Sequence, residues 1–349
     1  MDQDLHTVSM IQMFSHPVFC VQDDIITESN FAAKQLSFEP GLNIQDLLET
    51  GRHEYGAFCQ GALSLTLRAK NCSFVATVMR NSSSFVFHIL SSTDAEETKS
   101  MALAAQCIRE PLSGIMSICD KFTEKEYSHP QSASLTQNAY RILRILSNIT
   151  DVATCKNRTY NMEIQNPVSI LNEIAEKSVQ LAKAANRSII FESAEHKVYT
   201  RCDRDMLERA YYNLLSNAIK YSPENSSIHI AVKKAENRVQ LCVKNACDHM
   251  LTDELGTIFS RYQRHPGIED GTHGVGLGIP MVRAVAASHN GTLLLTQNSN
   301  MDVSFTLSIG ITADHNTLRS TKCRIDYAGG RNHGLLELAD VLPLDIYNM

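Results

Sequence analysis

Residues 207–222 read LERAYYNLLSNAIKYS, and no other stretch limits the possible folds of this chain as strongly. As a helix, the stretch places Asn213, Asn217 and Lys220 on one face, because they are spaced four and three residues apart. Two amides and a lysine in one stripe are unsuited to a core but suit a magnesium triphosphate, since Mg²⁺ prefers oxygen ligands and lysine binds phosphate. The alternative interpretation is a solvated polar face. The apolar face that would pack on a sheet consists of Leu207, Tyr211, Leu214 and Ala218.

A glycine-rich stretch further along the chain, HGVGLGIPMVRAVAASHNGTLLL, predicts a second part of the same site. Gly274, Gly276 and Gly278 precede a helical run that ends near His289, and an Asn-Gly turn then leads into a strand. Glycines let backbone N–H groups approach phosphates at a helix N-terminus. A single G-x-G-x-G is weak evidence on its own, but after the asparagine stripe it indicates a nucleotide site.

Residues 97–156 predict a hairpin of two helices. Apolar positions recur at alternating spacings of three and four, which is typical of helices in a bundle. The intervening EYSHPQSAS contains Pro130, which predicts a break between the helices. Since such a hairpin has little core of its own, we expect it to dimerise into a four-helix bundle; an intramolecular coiled-coil linker is the alternative. The two seams are Met101, Ala104, Ile108, Pro111, Ile115, Ile118 and Phe122, and Leu135, Ala139, Ile142, Leu146, Ile149 and Ala153.

The region before the hairpin contains short runs typical of strands, HPVFCVQ and SFVATVMR followed by SSFVFHIL. Asn81 and the serines after it predict a hairpin turn between the last two runs. Short helices are expected around NFAAKQL and NIQDLL. This layout resembles a PAS-type sensor domain, in which HPVFCVQDDIITESNFAAKQL would form the opening hairpin and first helix.

Composition excludes several classes of function. The chain has 349 residues and a formal net charge of -6, so it offers no basic patch for nucleic acid. No apolar run approaches the roughly 18 to 20 residues of a membrane span. The N-terminus lacks a signal segment, so we expect a cytoplasmic protein. The ten cysteines form no C-x-x-C pair, which argues against a zinc site and a disulfide framework.

The asparagine stripe and the glycine stretch together resemble the N box and second glycine box of the histidine-kinase branch of the GHKL ATPases. IFSRYQR, residues 258–264, is similar to the phenylalanine box between them. The resemblance implies an α/β sandwich with helices on one side of a mixed sheet, and it implies that ATP and Mg²⁺ bind there. Asn217 would be the principal magnesium ligand with Asn213 beside it, Lys220 would contact phosphate, and Tyr221 would lie against the nucleotide. Residues 260–273 would form a short lid, and the remaining nucleotide contacts would be Arg261, Arg264, His273, Gly274, Gly276, Leu277 and Gly278.

The chain departs from the family at the first glycine box. Asn245 stands where the family has the aspartate that accepts a hydrogen bond from adenine, and Cys247 and His249 stand where it has glycines. An asparagine oxygen can still accept from an amino group, but the bond loses its charge assistance. Side chains at the glycine positions would crowd the base. We therefore expect ATP affinity to be reduced without being abolished.

A second departure lies in AAQCIREPLSGIM, residues 104–116. Gln106 occupies the position of the family's phospho-accepting histidine, and its amide nitrogen is not a usable nucleophile because the lone pair is delocalised into the carbonyl. Cys107 stands where the family has an acidic base, and Glu110 where it has a threonine or asparagine. All three chemical positions are changed, while Arg109 and the residues that follow Glu110 keep the scaffold.

These observations predict a multidomain α+β protein of the sensor histidine kinase family. Its units would be a PAS-like sensor (1–96), a dimerisation hairpin (97–156), an ATP-binding domain (157–312) and a C-terminal tail (313–349). It would bind Mg-ATP with impaired autophosphorylation and signal through its conformation, as a homodimer or as a heterodimer with another sensor kinase, with a response regulator as a further partner. One alternative is an active kinase that phosphorylates another histidine, such as His129, or a histidine on a partner. The other is a non-enzymatic dimeric scaffold.

Overall fold

The structure is a computed structural model. It describes residues 11–12, 17–50, 52, 55–56, 64–69, 72–81, 84–89, 108, 112, 115, 130–154, 161–193, 197–247, 277–298, 301–311 and 327–347.

The N-terminal unit is an antiparallel sheet, and two short helices of this unit are described from end to end. Its strands lie in the order β2-β1-β6-β5-β4, and β3 pairs with β4. The ring of Phe19 stacks between Phe38 and Phe87, with centroid separations of 4.7 and 5.0 Å, and this stack forms the centre of a core separate from the main one. The strand pairs and short helices predicted for this region are confirmed. The elements are β1 (Val18–Gln22), β2 (Ile25–Ser29), α1 (Phe31–Gln35), α2 (Ile44–Leu47), β3 (Leu48–Thr50), β4 (Ser64–Ala69), β5 (Cys72–Asn81) and β6 (Ser84–Ile89).

The second hairpin helix, α3, runs from Pro130 to Thr154. The prediction that Pro130 lies in the break between the helices is wrong, because the helix begins at this residue. A proline is tolerated in the first turn of a helix, where its missing N–H has no intrahelical partner. Of the first hairpin helix, residues 108, 112 and 115 are described, and all three are helical.

The unit over residues 161–311, which the sequence predicts to bind ATP and which is therefore called the ATP-binding unit, is a mixed sheet covered on one face by three helices. The strand order is β12-β13-β11-β10-β8, in which β8 and β10 are parallel and the other neighbours are antiparallel. Alternate side chains of β10 and β11 point into one core shared with the helices. A separate ribbon pairs β7 with β9. The elements are β7 (Glu163–Gln165), α4 (Pro167–Ala184), β8 (Ser188–Ser193), β9 (Thr200–Cys202), α5 (Arg204–Tyr221), β10 (Ser227–Ala235), β11 (Arg238–Ala246), α6 (Gly278–Ser288), β12 (Leu293–Gln297) and β13 (Asp302–Gly310).

The C-terminal segment belongs to the same core. After a turn at residues 327–330 it forms α7 (His333–Glu337) and a 3-10 helix (Leu344–Tyr347). Leu336, Leu338 and Leu342 are buried in the core that α3, α4 and α5 share. The ring of Tyr347 meets the ring of Tyr140 on α3 edge to face at 5.7 Å. The segment therefore joins the hairpin helix to the ATP-binding unit.

The two sheets are continuous. Strand β12 of the ATP-binding unit pairs antiparallel with β4 of the N-terminal unit, Leu294 opposite Leu65 and Leu295 opposite Ser64. The side chain of Leu294 also packs against the N-terminal core. The sequence predicted separate units and gave no indication of this join.

Among the described residues, no helix is both long enough and apolar enough to cross a membrane.

Gly291 lies in the turn between helix α6 and strand β12. Its N–H donates to the carbonyl of Ala286 at 2.8 Å, after Asn290 has adopted a left-handed conformation with φ of 51°. A Cβ on residue 291 would overlap the carbonyl oxygen of Ser308, which is backbone and cannot rotate away.

We therefore expect Gly291→Ala to lower the free energy of unfolding by about 1–3 kcal/mol, the usual cost of overpacking. The melting temperature, followed by circular dichroism, measures this. Gly56→Ala is the control, because a Cβ there meets open space. Equal melting temperatures for the two variants would contradict the close approach at Gly291.

Candidate functional site

Helix α5 carries the predicted asparagine stripe and is fixed at its start by Asp203. Oδ1 of this N-cap accepts from the N–H of Met206 at 3.2 Å, and Oδ2 accepts from the N–H of Asn161 at 2.9 Å. The N–H of Asp203 donates to Nε2 of His289 at 3.0 Å. The end of α6 is thereby connected to the start of α5. Helices α5 and α6, which carry the two predicted motifs, therefore lie side by side.

Asn213 is fully buried between α5 and its neighbours. Its Nδ2 donates to the carbonyl of Arg209 at 2.9 Å, and its Oδ1 accepts from Nη2 of Arg144 at 3.3 Å. The expected role as a second magnesium ligand does not fit this environment, since the amide oxygen faces a guanidinium and no solvent. Asn213 instead connects α5 to the hairpin helix.

The rest of the stripe is more open. Asn217 and Lys220 are half-buried, and Tyr221 is 39% exposed. Nζ of Lys220 lies 5.0 Å from the ring centroid of Tyr221, a cation–π contact that holds the ammonium beside the ring. An amide oxygen, an ammonium and an aromatic face therefore lie together at the C-terminal half of α5.

Gly278 is the first residue of α6 and lies against the stripe. A Cβ at this position would stand 3.0 Å from Oδ1 of Asn213, so a side chain here would push on the buried amide. Leu277 precedes it as the N-cap, is buried, and makes no side-chain capping hydrogen bond. Gly278, at the end of the glycine stretch, thus meets the asparagine stripe directly, and the absence of a Cβ at residue 278 allows this contact.

Asn245 lies on β11 near its end and is 5% exposed. Its Nδ2 donates to the carbonyl of Ala246 at 2.8 Å, which leaves the amide oxygen as the group that can accept from a ligand. The other predicted site residues lie outside the described residues: Gln106, Cys107, Arg261, Arg264, His273, Gly274 and Gly276. Among the described residues, no group of three or more histidine, cysteine, aspartate or glutamate side chains is arranged to hold a metal ion.

A buried ionic cluster adjoins the stripe, and the sequence analysis missed it. Glu337 on α7 has no exposed surface. Its Oε1 accepts from Nε of Arg209 at 3.0 Å, and its Oε2 lies 3.6 Å from Nε of Arg144. Arg209 also donates from Nη2 to Oδ1 of Asn148 at 2.9 Å and forms an ion pair with Asp151. Helices α3, α5 and α7 therefore share one set of charges.

Asp340, three residues after Glu337, extends this cluster. Its Oδ2 accepts from Nη1 of Arg144 at 2.6 Å. One local signal was available: Arg209 precedes Asn213 by four residues and continues the polar stripe backwards along α5. Nothing in the local sequence identifies Arg144, Glu337 or Asp340 as its neighbours.

Comparison with known proteins agrees with this geometry. Residues 202–312 match the family described as histidine kinase-, DNA gyrase B-, and HSP90-like ATPase. The chain is 27% identical over 188 residues to histidine kinase P4 of Formosa agariphila, a match that covers 52% of this chain and 14% of that protein. It is 34% identical over 128 residues to the probable sensor protein PcoS of Escherichia coli, covering 36% of this chain and 27% of that protein. The chain thus spans less than a third of the length of either relative.

Among solved structures, the chain is similar to full-length ShkA in complex with AMPPNP. The TM-score is 0.51 at 17% identity, with 62% of this chain and 46% of that chain covered. This likeness shows the fold alone.

His289 makes the corner between α5 and α6 sensitive to pH. Its Nδ1 donates to the carbonyl of Val285 at 2.8 Å while Nε2 accepts from Asp203, so the ring is held neutral. Burial lowers the pKa of His289 below its ordinary value of 6.5. Between 6.5 and that lower pKa, the unfolded chain binds a proton that the folded chain does not, so stability falls as pH falls.

We expect one such proton to weaken the fold by about 1.4 kcal/mol for each pH unit within that window. Melting temperatures between pH 7.5 and 5 measure the slope. His289→Gln removes the ionisable ring and should give a flatter slope than that of the native chain. An unchanged slope in His289→Gln would show that the ring does not contribute.

Proposed function

We propose that this chain, a homologue of sensor histidine kinases that carries an ATPase domain at residues 202–312, binds Mg-ATP and signals through its conformation. The direct approach of Gly278 to Asn213 carries this proposal, because it brings the glycine helix and the asparagine helix into one site. The accessible end of that site presents Asn217, Lys220 and Tyr221. The proposal covers the whole protein, whereas the family match covers part of it.

Each site residue has a distinct proposed role. Asn217 supplies an oxygen ligand for Mg²⁺, and Lys220 neutralises phosphate charge. Tyr221 lies against the nucleotide, and the oxygen of Asn245 accepts from the adenine amino group. Asn213 positions α5 against Gly278 and is not a metal ligand. The backbone around Gly274, Gly276, Leu277 and Gly278 receives phosphate at the start of α6, and Arg261, Arg264 and His273 act from the lid.

We further propose that this chain does not phosphorylate itself at the family's usual position. Gln106 offers no nucleophilic nitrogen, and Cys107 replaces the carboxylate that would act as base. Bound ATP then acts as a ligand that stabilises one conformation, and a partner kinase or a response regulator receives the signal. The cytoplasmic location stays a prediction from the sequence.

Dimerisation through the hairpin forms part of the proposal. Ile108 and Ile115 are 49% and 47% exposed, and Leu135 and Ile142 are 48% and 42% exposed. Each pair is separated by seven residues, so each helix presents an apolar stripe of heptad period. A second hairpin, from the same chain or from another sensor kinase, would cover these stripes.

We expect Asn217→Ala to raise the dissociation constant for Mg-ATP at least about tenfold, because a ligand to the metal is lost. Isothermal titration calorimetry with and without Mg²⁺ measures this. Asn138→Ala is the matched control, since Asn138 is an exposed helical asparagine on α3. If both variants bind like the native chain, Asn217 is not a ligand. If the native chain itself does not bind ATP, the alternative of a non-enzymatic scaffold holds.

We expect no acid-labile phosphate on the native chain after incubation with ATP labelled in the γ position, because residue 106 has no imidazole. The variant Gln106→His with Cys107→Glu restores both groups and should acquire label if the ATP site is competent. Gln106→Ala serves as control. A phosphorylated histidine on the native chain would favour the alternative of an active kinase.

A further inference from the structure

The C-terminal segment 327–347, here called the strap, contacts both the hairpin helix α3 and the asparagine helix α5. Nε2 of Gln137 donates to the carbonyls of Ala339 and Leu342, at 3.2 and 2.7 Å. Nε of Arg141 donates to the carbonyl of Ala339 at 3.1 Å. Side chains of α3 thus donate hydrogen bonds to backbone carbonyls of the strap. The strap, α3 and α5 also share one hydrophobic core.

Arg144 contacts both the strap and the asparagine helix α5. Its guanidinium contacts two strap carboxylates, Asp340 at 2.6 Å and Glu337 at 3.6 Å. The same guanidinium donates to Oδ1 of Asn213 at 3.3 Å. Since the side chain of Arg144 is only 8% exposed, its charge depends on these neighbours for compensation.

The strap also reaches the C-terminal end of α5, which carries Lys220. Asp340, Val341, Leu342 and Pro343 line a cavity of about 340 Å³ together with Ile219, Lys220 and Glu224. A polyphosphate held by Lys220 would therefore share this cavity with Asp340, the carboxylate that contacts Arg144. Negative charge added here repels Asp340 and attracts the guanidinium that Asp340 holds.

We propose that the strap locks the hairpin helix against the ATP-binding unit, and that a bound nucleotide polyphosphate loosens the lock by competing with Asp340 for Arg144. The second half of this inference rests on the proposed nucleotide site; the first half does not. Because the coupling is a free energy between two sites, it acts in both directions. A nucleotide weakens the strap, and a weakened strap strengthens nucleotide binding.

The lock is tested by hydrogen exchange on the full-length chain without nucleotide. Asp340→Asn keeps the shape of the side chain but removes its charge, and amides of residues 137–147 should then exchange roughly tenfold faster. Asp345→Asn is the matched control, being the same change at an exposed position of the same segment. Gln137→Leu is a second variant, which removes the two hydrogen bonds to strap carbonyls without touching Arg144, and it should accelerate the same amides.

The competition is tested by adding Mg-AMPPNP to the same proteins. In the native chain, amides of residues 338–347 should exchange faster when the nucleotide is bound. Calorimetry should give a dissociation constant about threefold to tenfold lower for Asp340→Asn than for Asp345→Asn. Equal or weaker binding by Asp340→Asn would overturn the competition.

The outcomes separate this inference from the proposed function. Unchanged exchange at residues 137–147 in both Asp340→Asn and Gln137→Leu overturns the lock, even if the native chain binds nucleotide. Faster exchange in these variants, in a chain that does not bind nucleotide, supports the lock and overturns the competition together with the proposed function.

Discussion

The arrangement of helices α3, α5 and α7 depends on the carboxylate of Glu337. This carboxylate is fully buried between the guanidinium groups of Arg209 and Arg144. An ionised group without solvent is costly unless each charge has a partner, and removing one partner from such a cluster typically costs about 3–5 kcal/mol. Each of the three helices supplies at least one member. None can move away alone without leaving a buried charge uncompensated, so this cluster constrains their relative positions in addition to apolar packing.

This cluster changes the environment of the asparagine stripe. In a stripe read from sequence alone, Asn213 and Asn217 are equivalent amides on one face. In the structure, Arg144 and Gly278 enclose Asn213, while Asn217 stays partly accessible one turn later. In the proposed site, ligand chemistry and helix positioning therefore fall to different members of the same motif. The difference arises from what covers the helix, not from the residues themselves.

The elements that the sequence predicts well are those with local causes. Helices α5 and α6 follow from motif spacing and glycine placement, and the N-terminal hairpins follow from alternating strands around turn residues. The contacts that the sequence could not predict join distant residues: Arg209 and Glu337 are 128 positions apart, and Arg144 and Asp340 are 196 apart. No local pattern encodes such pairs. The start of α3 was missed for a different reason, since a proline ends one helix and begins another equally well.

The pairing of β12 with β4 has a consequence for how the chain can be divided. Over Leu294 and Leu295, backbone N–H and C=O groups of β12 have their partners in the N-terminal unit. A fragment lacking that unit would uncover a bare strand edge, which is a ready template for a strand of another molecule. Self-association of such a fragment would then reflect its exposed margin and not the assembly of the whole protein.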